Sequence, residues 1–418
     1  MPIRRPRGPK PALRHLAFLS AAADQPESSA ARATYQAAFL ALRLLDEWIA
    51  SGAMIADPQF QSHVVTREAV SELSHDPETR SALDRIIDAM VALQDPDAQP
   101  VLPRIFAYGS LLEHRGAMLL AADVFATVST YVDPRADLDL AFDALMRQGC
   151  CYRVAGELDR ADRAYENAGI IAGRARDRAR VLFARIGKAK VAWTRGNLPQ
   201  ADTELAAIVA EAEALDDARL LATALHDSAA VARAREDLPR ALTLIAASLR
   251  RTDDSHERER VLADLGNFLG LAGAFTTARA ALSLLERLAT HQETRWIAQH
   301  NLMDLAAREG SEPQFEQYRK RLEQSELPLR NAVHYLRDAG RGLATFGRVS
   351  EAEQALTRGL TLAREAGMHQ LEFELQALVD GIPALRRDLV PRESVPSIAP
   401  ESLMREIESL LQEVAAAG

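Results

Sequence analysis

Cys150 and Cys151 stand side by side in GCCYRVAGELDRADRAYENA, residues 149 to 168, and are the only cysteines in the chain. Adjacent thiols could offer a nucleophile or part of a metal site. Spacing argues against both uses, because there is no CxxC and no histidine sits at a metal-ligand interval from either sulfur. His226, Asp227 and Ser228 are the residue types of a hydrolase triad. Neighbours on a helix point about 100° apart, however, and cannot relay a proton. Phosphate-binding GxxxxGK[ST], GxGxxG after a strand, HExxH and GxSxG are all missing. No catalytic, cofactor-binding or metal-ligating residue is therefore expected, and no enzyme.

The elements that would position any site are helices. Hydrophobic residues make up 48% of the chain and aromatics only 5%, so the apolar material is mainly Ala, Leu and Val. That composition suits closely packed helices rather than sheets. A formal charge of −9 argues against a general nucleic-acid binder. Two cysteines in 418 residues fit a reducing compartment, so the cytoplasm is the expected location. Residues 16 to 23, LAFLSAAA, loosely imitate a signal peptide, but the run is short and follows directly on Arg14 and His15. No stretch approaches the length of a membrane span.

A repeat runs through the chain. Gly116, Gly156, Gly196, Glu236, Gly273, Gly310 and Gly347 are spaced by 40, 40, 40, 37, 37 and 37 residues. Five residues after these anchors lie Ala121, Ala161, Ala201, Ala241, Ala278, Phe315 and Ala352. Four further on come Phe125, Tyr165, Leu205, Ile245, Leu282, Arg319 and Leu356. Seven before the anchors are Gly109, Gly149, Ala189, Ala229, Gly266, Met303 and Gly340. Such a pattern describes helical hairpins: a small residue admits the partner helix, the anchor ends the first helix left-handed, and the alanine opens the buried stripe of the second.

Gly149, Tyr152, Gly156, Ala161, Tyr165 and Ala168 resemble the tetratricopeptide repeat (TPR) family, and the resemblance covers about residues 102 to 382. The period exceeds the family's usual length of about 34 residues, as in the long-repeat members of kinesin light chains and bacterial regulators. The extra length is expected in first and second helices each extended by a turn. The family tryptophan is missing from the first helices, Glu236 replaces an anchor glycine, and Phe315 with Arg319 marks a degenerate sixth repeat.

The expected fold is all-α: a right-handed α-solenoid of about seven TPR-like hairpins with a helical N-terminal cap and a C-terminal tail helix. Its expected parts are a flexible basic arm (1–28), a helical cap (29–95), the array (96–382), a proline-containing linker (383–400) and an amphipathic helix (401–418). In the cap, Tyr35, Phe39, Leu42, Leu45 and Ile49 form a stripe, and Asp76 before Pro77 and Glu78 reads as an N-cap. Leu403, Ile407, Leu410, Leu411 and Val414 give the tail helix one apolar face. That face would dock on the terminal repeat, on a partner, or in the protein's own groove.

By the resemblance, first helices line a concave groove that binds peptide or protein segments. Carried over position by position, the lining is Met146, Cys150 and Arg153 in repeat two, and Ile186, Lys190 and Trp193 in repeat three. His226 and Arg233 follow in repeat four, Asn267 in repeat five, His300 and Asp304 in repeat six, and Arg337 and Arg341 in repeat seven. Asn267 follows Gly266 as the family's peptide-clamping asparagine does, and its amide can satisfy a ligand's backbone donor and acceptor together. A ligand with an acidic residue or free carboxylate plus an apolar anchor would fit. The long arginines could instead pair with acids on neighbouring helices.

The function expected is a non-enzymatic interaction scaffold. The alternatives are a peptide-responsive signalling or transcription regulator acting through a partner, and an accessory subunit of an enzyme complex. No cofactor, no direct nucleic-acid contact and no membrane contact are expected. In this register Cys151 faces the preceding hairpin and Cys150 the groove, where Arg153 one turn away could make the thiol reactive.

Overall fold

The computed structural model describes residues 14–52, 61–93, 97–366, 368–385 and 400–417, and the regular structure among them is entirely α-helical. The chain divides into two compact units, Met1–Gly196 and Asn197–Gly418. Among the described residues no helix is long and apolar enough to cross a membrane. The basic residues Arg4, Arg5, Arg7 and Lys10, and most of the proline-containing linker, lie outside the described residues.

The first unit opens with α1 (Leu16–Ala23), α2 (Ala30–Ser51), α3 (Gln61–Ser71) and α4 (Pro77–Val91). The hairpins α5 (Leu102–His114)/α6 (Met118–Tyr131) and α7 (Leu138–Val154)/α8 (Leu158–Arg174) follow, and then α9 (Arg178–Thr194). Asp76 caps α4 by accepting the Thr79 N–H at 3.1 Å. Its carboxylate also takes Arg115 at 2.8 and 3.0 Å, which ties α4 to the end of α5 and holds the carboxyl down at about 2.

The expected flexible arm of residues 1–28 needs correction. Residues 16–23 form α1, which packs on α2 and α6 with Phe18 fully buried. Arg14 reaches Asp46 at 3.1 Å and the Tyr131 hydroxyl at 3.0 Å. His15, left-handed at φ 63°, is buried between Asp46 and Asp123. Carboxylates on α2 and α6 supply what this stretch needs in order to be fixed, and the local sequence does not show them.

The second unit begins with α10 (Leu198–Leu215) and continues through α11 (Ala218–Ala234)/α12 (Leu238–Arg251) and α13 (Ser255–Leu271)/α14 (Phe275–Leu288). It is completed by α15 (Gln292–Glu309)/α16 (Glu312–Glu323), α17 (Leu329–Thr345)/α18 (Val349–Glu365), α19 (His369–Leu385) and α20 (Glu401–Ala417). Successive helices pack on one another, so each unit is a stack of hairpins in an all-α, TPR-like solenoid.

All seven anchors have positive φ, from 64° at Glu236 to 80° at Gly156 and Gly196. Glycine adopts this conformation freely, whereas a side chain costs roughly 1–2 kcal/mol. Replacing Glu236 with glycine is accordingly expected to stabilise the second unit by roughly 0.5–1 kcal/mol after the added chain entropy is subtracted. The thermal midpoint should rise, and a fall would mean that Glu236 makes a compensating contact.

Small residues meet large ones where the repeat places them. A Cβ on Gly149 would stand 2.7 Å from the Tyr165 ring, one on Gly109 would stand 2.9 Å from Phe125, and ones on Gly266 and Gly340 would each lie 2.5 Å from Leu282 and Leu356. The sixth repeat compensates for its bulky Phe315 elsewhere: the fully buried ring lies against Gly342 of α17. After α5, with 13 residues, first helices keep a nearly constant length, with α7, α9, α11, α13 and α17 at 17 residues and α15 at 18. Second helices carry the variation, from 17 and 18 residues in α8 and α10 to 14 in α12 and α14. The three residues by which the spacings between Gly156 and Glu236 exceed those after Glu236 thus fall in the second helices α8 and α10, while the 17-residue first helices are common to both.

The tail helix docks on neither expected place within the chain. It packs across α12 and α14, two second helices, rather than on the terminal repeat or on first helices. Leu403, Ile407, Leu410 and Leu411 are buried in one cluster with Leu242, Ile245, Leu282 and Leu284.

Candidate functional site

The first helices are begun by side chains that fix their register. Asp137, Asp177, Asp217 and Asp254 cap α7, α9, α11 and α13, each accepting a backbone N–H three residues on. The cap satisfies one orphan donor and sets which residues of the helix face outward.

In the first unit, α7 carries Met146, Cys150 and Arg153, all half-buried. Met146 packs with Tyr165 and Val191. Arg153 donates towards the Cys150 sulfur at 3.8 Å and also bonds the Tyr165 side chain. On α9, Ile186 is buried, whereas Lys190 and Trp193 are half-buried. Cys151 is fully buried, and burial pushes its thiol far above the ordinary range.

In the second unit the sequence-selected residues separate into two kinds. His226 on α11 is buried and is bracketed by Glu257 at 3.1 Å and Asp264 at 2.8 Å, both from α13. Burial alone would depress its pKa, but the two carboxylates outweigh it and raise the imidazole to about 9. His226 is therefore a charged staple between two helices and not an open lining residue. Arg337 is likewise committed. It grips the buried Asp338 with Nε at 2.8 Å and Nη2 at 2.9 Å, and reaches Glu374 of α19 at 2.8 Å. His300 comes within 2.8 Å of Asp338, and Arg341 donates to the same carboxylate at 3.4 Å. Burial disfavours the Asp338 anion, yet His300 and Arg337 together hold its pKa far down.

The other kind faces outward. The side chains of Arg233 and Asn267 are exposed and make no hydrogen bond or ion pair among the described residues. Asp304 is half-buried and accepts from Arg308 at 2.6 Å, while Arg341 is exposed beside Asp338. Arg233, Asn267, Asp304 with Arg308, and Arg341 are thus the residues of this second kind on α11, α13, α15 and α17. Leu271, 37% exposed and five residues after Gly266, adds an apolar patch that the position-by-position reading passed over although its spacing pointed there. Asp338, Glu257 and Asp264 were also missed, because they act on the site only by neutralising it.

The His226 staple titrates in an accessible range. Its folded pKa lies above the ordinary 6.5, so its contribution is complete below about pH 6.5 and is lost as pH rises through about 9. Urea midpoints of the intact chain should fall from pH 6.5 to 9.5 by more than those of His226→Gln. Parallel pH profiles would remove the staple. Among the described residues no group of three or more His, Cys, Asp or Glu could hold a metal ion.

No protein-family model and no curated protein matches the chain. Solved structures are similar in fold. One is a Rap protein complexed with Competence and Sporulation Factor, 13% identical, covering 78% of this chain and 99% of that one, with a TM-score of 0.50. Another is the Rap conjugation gene regulator of the plasmid pLS20 in complex with the Phr* peptide, 12% identical, covering 78% of this chain and 96% of that one, with a TM-score of 0.51.

Proposed function

We propose that this chain is a non-enzymatic scaffold that binds a peptide or protein segment along the first helices of its second unit. The observation that carries the reading is the outward pair Arg233 and Asn267, polar side chains on neighbouring first helices with no partner among the described residues. An exposed amide can pair with a ligand's backbone donor and acceptor, and an unpaired guanidinium can take a carboxylate in two-pronged fashion. Leu271 offers the apolar contact beside them. The ligand class is an extended segment with one acidic group and one apolar anchor. Support comes also from the likeness in fold to a regulator solved with a peptide. That likeness favours, as the finer reading, a peptide-responsive regulator that acts through a partner.

The staples decide how this is tested. Arg337 holds Asp338 and would confound any binding measurement, so the informative changes are Arg233→Glu and Asn267→Ala. Affinity capture from the native host should lose the partner with the double variant, at unchanged helicity. Full retention would exclude this face as the binding surface.

A further inference from the structure

The helix α20 makes one-sided contact with the repeats. Leu403, Ile407, Leu410 and Leu411 are buried, while Arg405, Ser409, Gln412 and Glu413 on its other side are exposed. Most repeat helices are held by both a preceding and a following helix, whereas α20 packs mainly on α12 and α14. A single amphipathic helix laid on a surface is the geometry of a bound helical ligand.

The surface beneath is specialised for it. Leu242 comes one residue after the small residue of α12, where other second helices have Ala122, Asp162, Asp202, Arg279 and Glu353. Leu284 comes six after the small residue of α14, where others have Thr127, Asn167, Ala207, Ala247 and Arg358. Both leucines are buried, at 0% and 3% exposure, in the cluster that contains the α20 side chains. Positions that are mostly polar elsewhere have thus become apolar at the helix seat. Charge agrees as well: α20 carries four glutamates against one arginine, and Glu406 pairs with Arg250 in the last turn of α12. Glu408 accepts from Thr277 of α14 at 3.2 Å.

We propose that the α12/α14 face is a second binding surface, distinct from the first-helix band, whose ligand is an acidic amphipathic helix of a partner protein. α20 fills it in cis and competes with that ligand. The partner helix presents apolar residues at the spacing of Leu403, Ile407, Leu410 and Leu411, and an acid towards Arg250.

The probe is a labelled synthetic peptide of residues 400–418, titrated by fluorescence anisotropy into three full-length proteins. The Ile407→Asp/Leu411→Asp chain, whose own tail is released, should bind it saturably. The intact chain should bind at least ~10-fold more weakly, because a tethered competitor acts at high effective concentration. Adding Arg250→Glu to the released chain should weaken binding several-fold, and a peptide carrying Ile407→Asp should not bind. Hydrogen exchange on the intact chain gives a second measurement, in which α20 amides should exchange ahead of those of α12 and α14. Absence of binding to a folded released chain, equal binding by the intact chain, loss of helicity on tail release, or protection of α20 equal to its seat would each overturn the proposal. Light scattering showing an intact dimer with exchanged tails would make a second copy the occupant and overturn it too.

Discussion

Replacing Asp338 with alanine is expected to cost the second unit about 3–5 kcal/mol, the usual penalty for breaking a buried ion pair from one side. Asp338 is buried and receives Arg337 through two hydrogen bonds, with His300 and Arg341 close by. Its removal leaves Arg337 with Glu374 as its remaining carboxylate and takes the shared acceptor away from His300 of α15 and Arg341 of α17. Asp338→Asn keeps the shape and should recover part of the loss, whereas Arg337→Met in the Asp338→Ala background should recover more by removing the stranded cation. Urea unfolding followed by Trp296 fluorescence, with Trp48 and Trp193 replaced by phenylalanine, reads the second unit selectively. A loss below about 1 kcal/mol would mean that the cluster behaves like an exposed ion pair.

Tyr165→Ala should be comparably severe in the first unit, at about 3–5 kcal/mol. The ring is almost wholly buried and sits between two glycines, Gly149 on α7 and Gly187 on α9, neither of which leaves room for a Cβ. One side chain thus sets the approach of three helices, α7, α8 and α9. Its loss leaves a void that glycine backbones cannot fill, and it also removes a partner of Arg153. Tyr165→Phe separates the two effects, since it keeps the ring and should cost no more than about 1.5 kcal/mol. Denaturant midpoints followed through Trp193 would show the difference. Equal losses in the two variants would place the energy in the hydroxyl rather than in packing.

The architecture was legible in the sequence because hairpin turns make demands that a single residue can meet. Glycine recurs where the chain turns left-handed, and the same count locates Glu236, a residue type that propensity alone would never place there. The Asp76 cap was legible for the same local reason. Lining residues were harder. Helical spacing gives the direction in which a side chain leaves its axis, but whether that direction stays open depends on what the next helix brings. For His226 the next helix brings Glu257 and Asp264, and for His300 it brings Asp338. Arg233 and Asn267 meet no such partner among the described residues, and nothing in their own neighbourhood of the sequence distinguishes them from the stapled residues. The stripe on α20 showed that something must cover it, while its seat on α12 and α14 depends on Leu242 and Leu284, more than a hundred residues upstream.

That separation matters while the chain is being made. Thr277 and Glu408 are 131 residues apart, and Arg250 and Glu406 are 156 apart. At 5–20 residues per second, a ribosome completes the seat on the order of ten seconds before it releases the helix that covers it. During that interval the leucine-rich face of α12 and α14 is open to any amphipathic helix nearby, including one from a neighbouring nascent chain. Synthesis of α20 therefore ends a period of exposure that begins with α12 and α14, and a premature stop after α19 would make it permanent.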